Sequence, residues 1–280
     1  MRRTFPRTLW LVPCAALLLA AGAAGARPPV EAPDNLLNDR FSLQADVIRS
    51  SDTTALRYDP NAGAAGTDLA VEPDLGVPRH KLIARGELAF RLHDRHRVRL
   101  ANYFVPLDRS GTAVLARTIS FGNSVYTVGE LVQSELNVRV LALSYSYSFL
   151  RSDRYELAGS LGFDVIGVEA KATVVARLRT ERQDRSAPAP LVGLETSGRL
   201  SSRWYAEGRI QYLKVVAGGI HGSFKNFEAN ALYRLHPNAT LGLGYTGFNV
   251  DVSSTRVGGA DHGSFGLKSL GPQLLLRVGF

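Results

Sequence analysis

One methionine and one cysteine occur in 280 residues, Met1 and Cys14. Both fall in a segment that reads as a cleaved export signal. The exported chain then keeps no thiol, which excludes a disulfide framework and thiolate chemistry. Long apolar runs are equally scarce: Leu9 to Ala21 is too short and wrongly flanked for a spanning helix, and nothing of its length follows. The six histidines are scattered and no Asp-x-Asp-Gly cluster occurs, so zinc and calcium spacings are missing and no metal or cofactor is expected. A concentrated charge of one sign is lacking as well. The formal charge of +8 is modest, and arginine is dealt out along the chain among Asp and Glu, which argues against a nucleic-acid partner.

The N-terminus has the order of an export signal. Met1-Arg-Arg-Thr-Phe-Pro-Arg7 is a basic n-region, an apolar stretch follows, and Ala24-Gly25-Ala26 fits a small-residue cleavage site. A lipoprotein reading of Cys14 fails on position, because apolar signal sequence continues after it. Residues 1–26 are therefore expected to be a signal peptide and 27–39 a proline-rich periplasmic leader. Residues 40–280 are expected to form the folded domain. Removing Arg2, Arg3 and Arg7 lowers the formal +8 to +5.

What is present is alternation. In the last stretch Leu274, Leu276, Val278 and Phe280 share one face, while Gln273, Leu275, Arg277 and Gly279 share the other. The same period of two recurs in Leu82 to Leu92, Val98 to Phe104, Leu141 to Phe149, Tyr155 to Phe163, Val192 to Leu200, Trp204 to Tyr212, Phe227 to Leu235 and Leu241 to Tyr245. Phe41 to Val47 starts the series. Tight polar turns at Asp94-Arg-His96, Arg151-Ser-Asp-Arg154, Ser201-Ser-Arg203 and His236-Pro-Asn-Ala239 alternate with long connections, as short periplasmic turns alternate with extracellular loops. A mean hydropathy of −0.04 is what such alternation averages to. The fold class expected is all-β, a transmembrane antiparallel up-and-down β-barrel of about ten strands, with eight or twelve as the neighbouring even counts.

Some stretches depart from the pattern. Ala55 to Tyr58 is either the first strand rising beyond the membrane or part of a loop. Asp108 to Glu135 reads as an extracellular loop with strand extensions, and Arg177 to Pro190 as a charged, solvated loop. Leu136, Val138 and Val140 sit in the opposite parity to Leu141 and its successors, which predicts a bulge or a change of environment near Val140.

The inward parity carries the charge. Arg85, Arg91, Arg97, Arg99, Arg139, Arg199, Arg209, Arg234 and Arg277 are expected to meet Asp46, Glu87, Glu156, Asp164, Glu195, Glu207 and Glu228 across a narrow lumen. Buried charges persist only when paired or hydrated, so the expectation is a salt-bridged polar interior. A water-filled conduit lined by the same groups is the alternative.

An export signal, alternating strands and a closing strand that stops on an aromatic resemble bacterial outer-membrane β-barrel proteins over nearly the whole exported chain. Gly66-Thr-Asp-Leu69, Asp74-Leu-Gly76, Arg95-His-Arg97, Phe121-Gly122 and Gly271-Pro272 also look like an uncharacterised proteobacterial family of such barrels. The resemblance implies residence in the outer membrane, outer-membrane lipid around the wall, and delivery by periplasmic chaperones. It further implies that barrel-assembly machinery reads Phe280 as its signal.

One local repeat could carry chemistry. His221-Gly-Ser-Phe224 and His262-Gly-Ser-Phe265 each place imidazole and hydroxyl on one face of a strand, where a base could activate a nucleophile. The pairs His221/Ser223 and His262/Ser264 look slightly like the His-x-Ser of outer-membrane lipid A deacylases, with Phe where that pattern has Asn. Two function classes follow: a non-enzymatic barrel acting through its loops or as a narrow pore, and a lipid-modifying hydrolase at the outer rim.

Overall fold

The computed structural model describes residues 35–59, 66–104, 109–121, 124–174, 179–217, 219–254 and 262–280. The expected signal peptide and the leader up to residue 34 lie outside them. In chain order the strands are β1 (Phe41–Asp59), β2 (Leu69–Ala70), β3 (His80–His93), β4 (His96–Phe104), β5 (Arg109–Val114), β6 (Ile119–Phe121), β7 (Ser124–Tyr126), β8 (Leu131–Arg151), β9 (Tyr155–Val174), β10 (Arg179–Arg199), β11 (Trp204–Ala217), β12 (Ile220–His236), β13 (Ala239–Ser254) and β14 (His262–Gly279). One short helix, α1 (Val71–Leu75), joins β2 to β3.

Ten of these form the wall: β1, β3, β4 and β8 to β14, each antiparallel to its neighbours. β14 returns to β1 from Ser42 opposite Gly279 to Asp59 opposite His262, which closes the cylinder. Closure leaves no sheet edge in the membrane, where an unpaired backbone group has no water to turn to. The terminal residue completes the seam. The carbonyl of Phe280 accepts from the amides of Arg40 and Phe41 at 2.7 and 3.0 Å.

The alternation sorts the side chains by face. Leu82, Phe90, Leu100, Leu143, Leu161, Val192, Ile210, Leu243, Leu274 and Leu276 stand exposed on the outside. Aromatic residues gather near the short turns. Trp204 meets Tyr233 edge-on with ring centroids 5.0 Å apart, and His96 meets Tyr147 at 5.2 Å. Rings with one wet polar group suit a membrane interface.

Three departures from the alternation have physical causes. The stretch Ala55 to Asp59 belongs to β1, paired throughout with β14. Residues 179–190 are not a loop but the upper part of β10, paired to β9 from Arg179 opposite Val174. β11 joins β10 only from Tyr212 opposite Val192, so Pro188 and Pro190 sit where one side of β10 has no strand beside it. An edge tolerates proline, which has no amide to donate. At Val140 no bulge occurs, because β8 and β9 stay in register through it, and the slip comes at Ser148/Leu150, which leaves both Phe149 and Leu150 exposed. What changes at Val140 is its environment. The residue keeps the inward parity and packs on apolar chain that enters the barrel.

That chain is the connection from β1 to β3. Val71 and Val77 turn into the outer mouth and pack with Val140 and Leu267, with Phe248 and Phe265 against them. Leu69 packs with Leu115, Ile119, Tyr126 and Val132, so residues of the β5–β8 connection cover the same mouth. Gly76, at φ 66°, ends α1 in the left-handed conformation. A side chain there would strike the Thr112 carbonyl at 2.7 Å, and one on Gly111 would strike Gly76 at 2.6 Å. Two glycines therefore let the two backbones touch. Glu72 is buried beneath, accepting from the amide and hydroxyl of Thr54 at 2.8 and 2.7 Å.

The opposite mouth is covered by the N-terminal turn, Leu36–Asn38. Leu36 packs with Tyr205, Leu232 and Leu275, all inward-facing and nearly inaccessible. Asn35 fixes this turn by capping the Leu37 amide at 3.2 Å and donating to the Asp153 carbonyl at 2.7 Å. Arg151 donates to Asn38 at 3.0 Å.

Candidate functional site

Between these two apolar plugs lies the polar interior. Arg85, on β3, is held by Asp46 at 2.8 Å and by both carboxylate oxygens of Glu228, on β12, at 3.0 and 2.7 Å. Arg209, on β11, takes both oxygens of Glu87, on β3, at 3.1 and 3.2 Å. In the ring of strands β3 and β11 are five places apart out of ten, so this pair spans the full diameter. Arg99 bridges Glu87 at 3.4 Å and binds Glu195, which also accepts the Ser146 hydroxyl at 3.0 Å. Nearer the periplasmic end Arg91 holds Glu156 at 3.1 and 2.8 Å, joined by Arg97 at 3.2 Å and the Ser148 hydroxyl. Arg277 grips Glu207 at 2.7 and 2.6 Å and Gln44 at 2.8 and 2.7 Å.

Six arginines thus meet six carboxylates. Repeated two-pronged contacts explain the choice of arginine, whose planar fork matches a carboxylate where lysine offers one point charge. Neutral amides complete the acceptors. Asn230 and Gln273 donate to Glu228 at 2.8 and 2.9 Å, and Gln44 donates to Asp46 at 2.8 Å. A side chain on Gly244 would lie 1.9 Å from Asn230, so the network needs a bare position on β13. Among the described residues this interior holds a partly open pocket of about 30 Å³ lined by Arg97, Glu156, Glu195, Arg209 and Glu228 among others. That volume holds one or two waters.

Of the residues expected inside, Asp46, Arg85, Glu87, Arg91, Arg97, Arg99, Glu156, Glu195, Glu207, Arg209, Glu228 and Arg277 come together. Asp164 is buried on the inner wall, with no ion pair among the described residues. Arg234 is buried at the periplasmic turn, where it donates to the Pro237 carbonyl. Among the described residues Arg199 reaches only the Ser201 carbonyl, at 3.2 Å on the rim. Arg139 is a correction: it stands exposed on the outer face, because parity is continuous along β8 from Val132 to Ser148 and Val140 takes the inward place. The amides Gln44, Asn230 and Gln273 and the hydroxyls of Ser146 and Ser148 were not expected, although each lies on the polar parity of its strand.

The histidine–serine repeat falls on the outer wall. His221 and Ser223 are on β12 with outward parity, opposite Ser253 and Asp251 of β13. Ser264, on β14, stands opposite Ser253 from the other side, so the two copies flank one strand. His262 begins β14, and its side chain lies outside the described residues.

Outside the strands, the carboxyl of Asp39 has a shifted acidity. Asp39 sits between the N-terminal turn and β1, where burial raises its carboxyl to about 6 despite the lowering influence of Arg234 and Arg277.

No family model and no curated protein matches the chain. Among solved structures it is similar to the outer membrane protease OmpT from Escherichia coli, with a TM-score of 0.54 and 13% identity over 85% of this chain and 97% of that one. It also matches the transport unit of the autotransporter AIDA-I from Escherichia coli at a TM-score of 0.40 and 7% identity, over 94% of this chain and 96% of that one. Neisserial surface protein A gives a TM-score of 0.30 and 12% identity, over 86% and 97%. With its ten-strand closed wall, apolar outside and salt-bridged inside, the chain has the fold of a bacterial outer-membrane β-barrel.

Proposed function

We propose that the chain works in the outer membrane as a closed, non-conducting barrel, and that its activity lies in the surface formed by its strand extensions and loops. The observation that carries this reading is the Glu87–Arg209 pair, which joins opposite walls at mid-barrel. Apolar plugs above and below it leave an ion no hydrated path, and stripping an ion of water in an apolar passage is costly. The strands support the same reading. β8, β9 and β10 run 20 or 21 residues, about 65 Å, against a band of about 25 Å for a barrel in lipid. Much of their length therefore stands outside the membrane. Phe280 serves as the assembly signal, its ring exposed on the outer face of the closing seam.

Planar-bilayer recording of the purified protein tests this. A silent bilayer at high protein load is expected, and reproducible unitary conductance steps would overturn it.

A second reading rests on Asp251. In the sequence the only later acid near either His-x-Ser copy is Glu228, which faces inward, whereas the register puts Asp251 directly across from Ser223 and diagonal to His221. This gives a base, a hydroxyl and an acid on one patch of outer wall, as a rim hydrolase would use. It ranks second because Asp251 already accepts from Asn249 at 2.7 Å. Expressing the Ser223→Ala/Ser264→Ala variant beside wild type and comparing lipid A and phospholipid profiles decides it. Identical profiles remove the hydrolase.

A further inference from the structure

Lysine is rare in this chain, with five among 33 basic residues. Three of the five, Lys214, Lys225 and Lys268, project from the outer wall of β11, β12 and β14. Register brings them together. Lys225 and Lys268 both stand opposite Asn249 of β13, one from each side, so the two are separated by two strand spacings, about 10 Å. Lys214 is opposite Ser223, one step diagonally above Lys225. All three are exposed, and among the described residues none forms an ion pair. Among the described residues the acid on this part of the wall is Asp251, already bonded to Asn249.

Their height on the barrel is informative. The periplasmic aromatic row contains Trp204 and Tyr233, and the row of Lys225 contains Tyr212, eight residues further along β11. Eight residues span about 26 Å of strand, or about 20 Å along the membrane normal at the usual tilt. The rows between are apolar or small on the outside, with Leu243, Tyr245, Ile210 and Phe227 among them. The lysines therefore begin where the hydrocarbon band ends on the extracellular side, which is the level of the outer-leaflet headgroups. Clustered ammonium groups at that level attract anionic lipid, while the wall below receives its acyl chains.

Given residence in the outer membrane, we propose that Lys214, Lys225 and Lys268 form a binding site for a phosphorylated glycolipid of the outer leaflet. Its phosphates lie against the lysines and its chains along Phe227, Tyr245 and Leu243.

The test titrates the full barrel, in neutral detergent, with diphosphorylated lipid A and measures lipid phosphate retained after gel filtration. Wild type should retain it saturably, and dephosphorylated lipid A should be held at least ~30-fold more weakly. The Lys214→Gln/Lys225→Gln/Lys268→Gln variant should lose the same factor, and the triple Lys→Arg variant should keep the binding. Equal retention of phosphorylated and dephosphorylated lipid by wild type would overturn the proposal, whether or not the glutamine variant folds. So would undiminished binding by a folded glutamine variant. Displacement of the lipid by inorganic phosphate alone would reassign the lysines to a free anion and contradict the lipid site.

Discussion

Arg85, inside the barrel, is 1% exposed at its side chain and touches Asp46 and Glu228, while Lys225 and Lys268, on the outside of the wall, are exposed and form no ion pair among the described residues. Both positions follow from the same alternation. In the lumen a charge has little water, so it persists only beside an opposite charge held in good geometry, and six arginines find six carboxylates there. At the membrane surface a charge can remain hydrated, so a compact ammonium stays available to a lipid headgroup. Mean hydropathy is blind to this contrast, because both faces contribute cations.

The comparison can be broken from inside first. Arg85→Ala leaves Asp46 buried without its cation and Glu228 with only the longer Arg209 contact at 3.8 Å among the described residues, and it should lower unfolding stability by about 3 to 5 kcal/mol in urea titrations of folded barrel in lipid. Replacing the Glu87–Arg209 pair by Leu and Met should cost much less than either single alanine change, since a packed apolar pair leaves no uncompensated charge. Tyr205→Ala, which empties the centre of the periplasmic plug, should cost about 3 kcal/mol in the same assay.

Asp39 gives a smaller, pH-dependent effect. Its carboxyl titrates near 6 in the folded protein against a usual value of 3.8, so the folded form binds the proton more tightly. Stability should therefore be greatest below pH 4 in this respect and decline as pH rises through 6. The change is at most about 2 kcal/mol once solvent screening is allowed for. Asp39→Asn should flatten that part of the profile without loss of stability at neutral pH. The outer lysines mark the small end of the scale. Their triple glutamine variant should alter unfolding stability by under ~0.5 kcal/mol, since they form no ion pair among the described residues.

Much of this was legible in residues two apart. Leu274, Leu276 and Phe280 against Gln273 and Arg277 indicate both faces of the closing strand, and the same reading places Glu87, Glu195, Glu207 and Glu228 inside. The plugs were not legible. Val71, Val77 and Leu36 reach inner positions through chain reversal, and no local period encodes that. Their invisibility explains Arg139: Val140 reads as lipid-facing because it is apolar, yet it is apolar because Val71 and Val77 lie against it inside. The upper half of β10 was hidden by Pro188 and Pro190, which signal a loop unless one knows that β11 has already left that edge. Asp251 was invisible beside Ser223 for a simpler reason, being 28 positions away in the chain and adjacent only through strand pairing.

The central claim is that opposite walls are tied through the lumen, and a double-mutant cycle on Glu87 and Arg209 tests it most directly. Unfolding free energies of wild type, Glu87→Ala, Arg209→Ala and the double variant should give a coupling of about 1.5 to 3 kcal/mol. Losses that simply add, to within ~0.5 kcal/mol, would mean that the two side chains do not meet and would contradict the filled barrel described above.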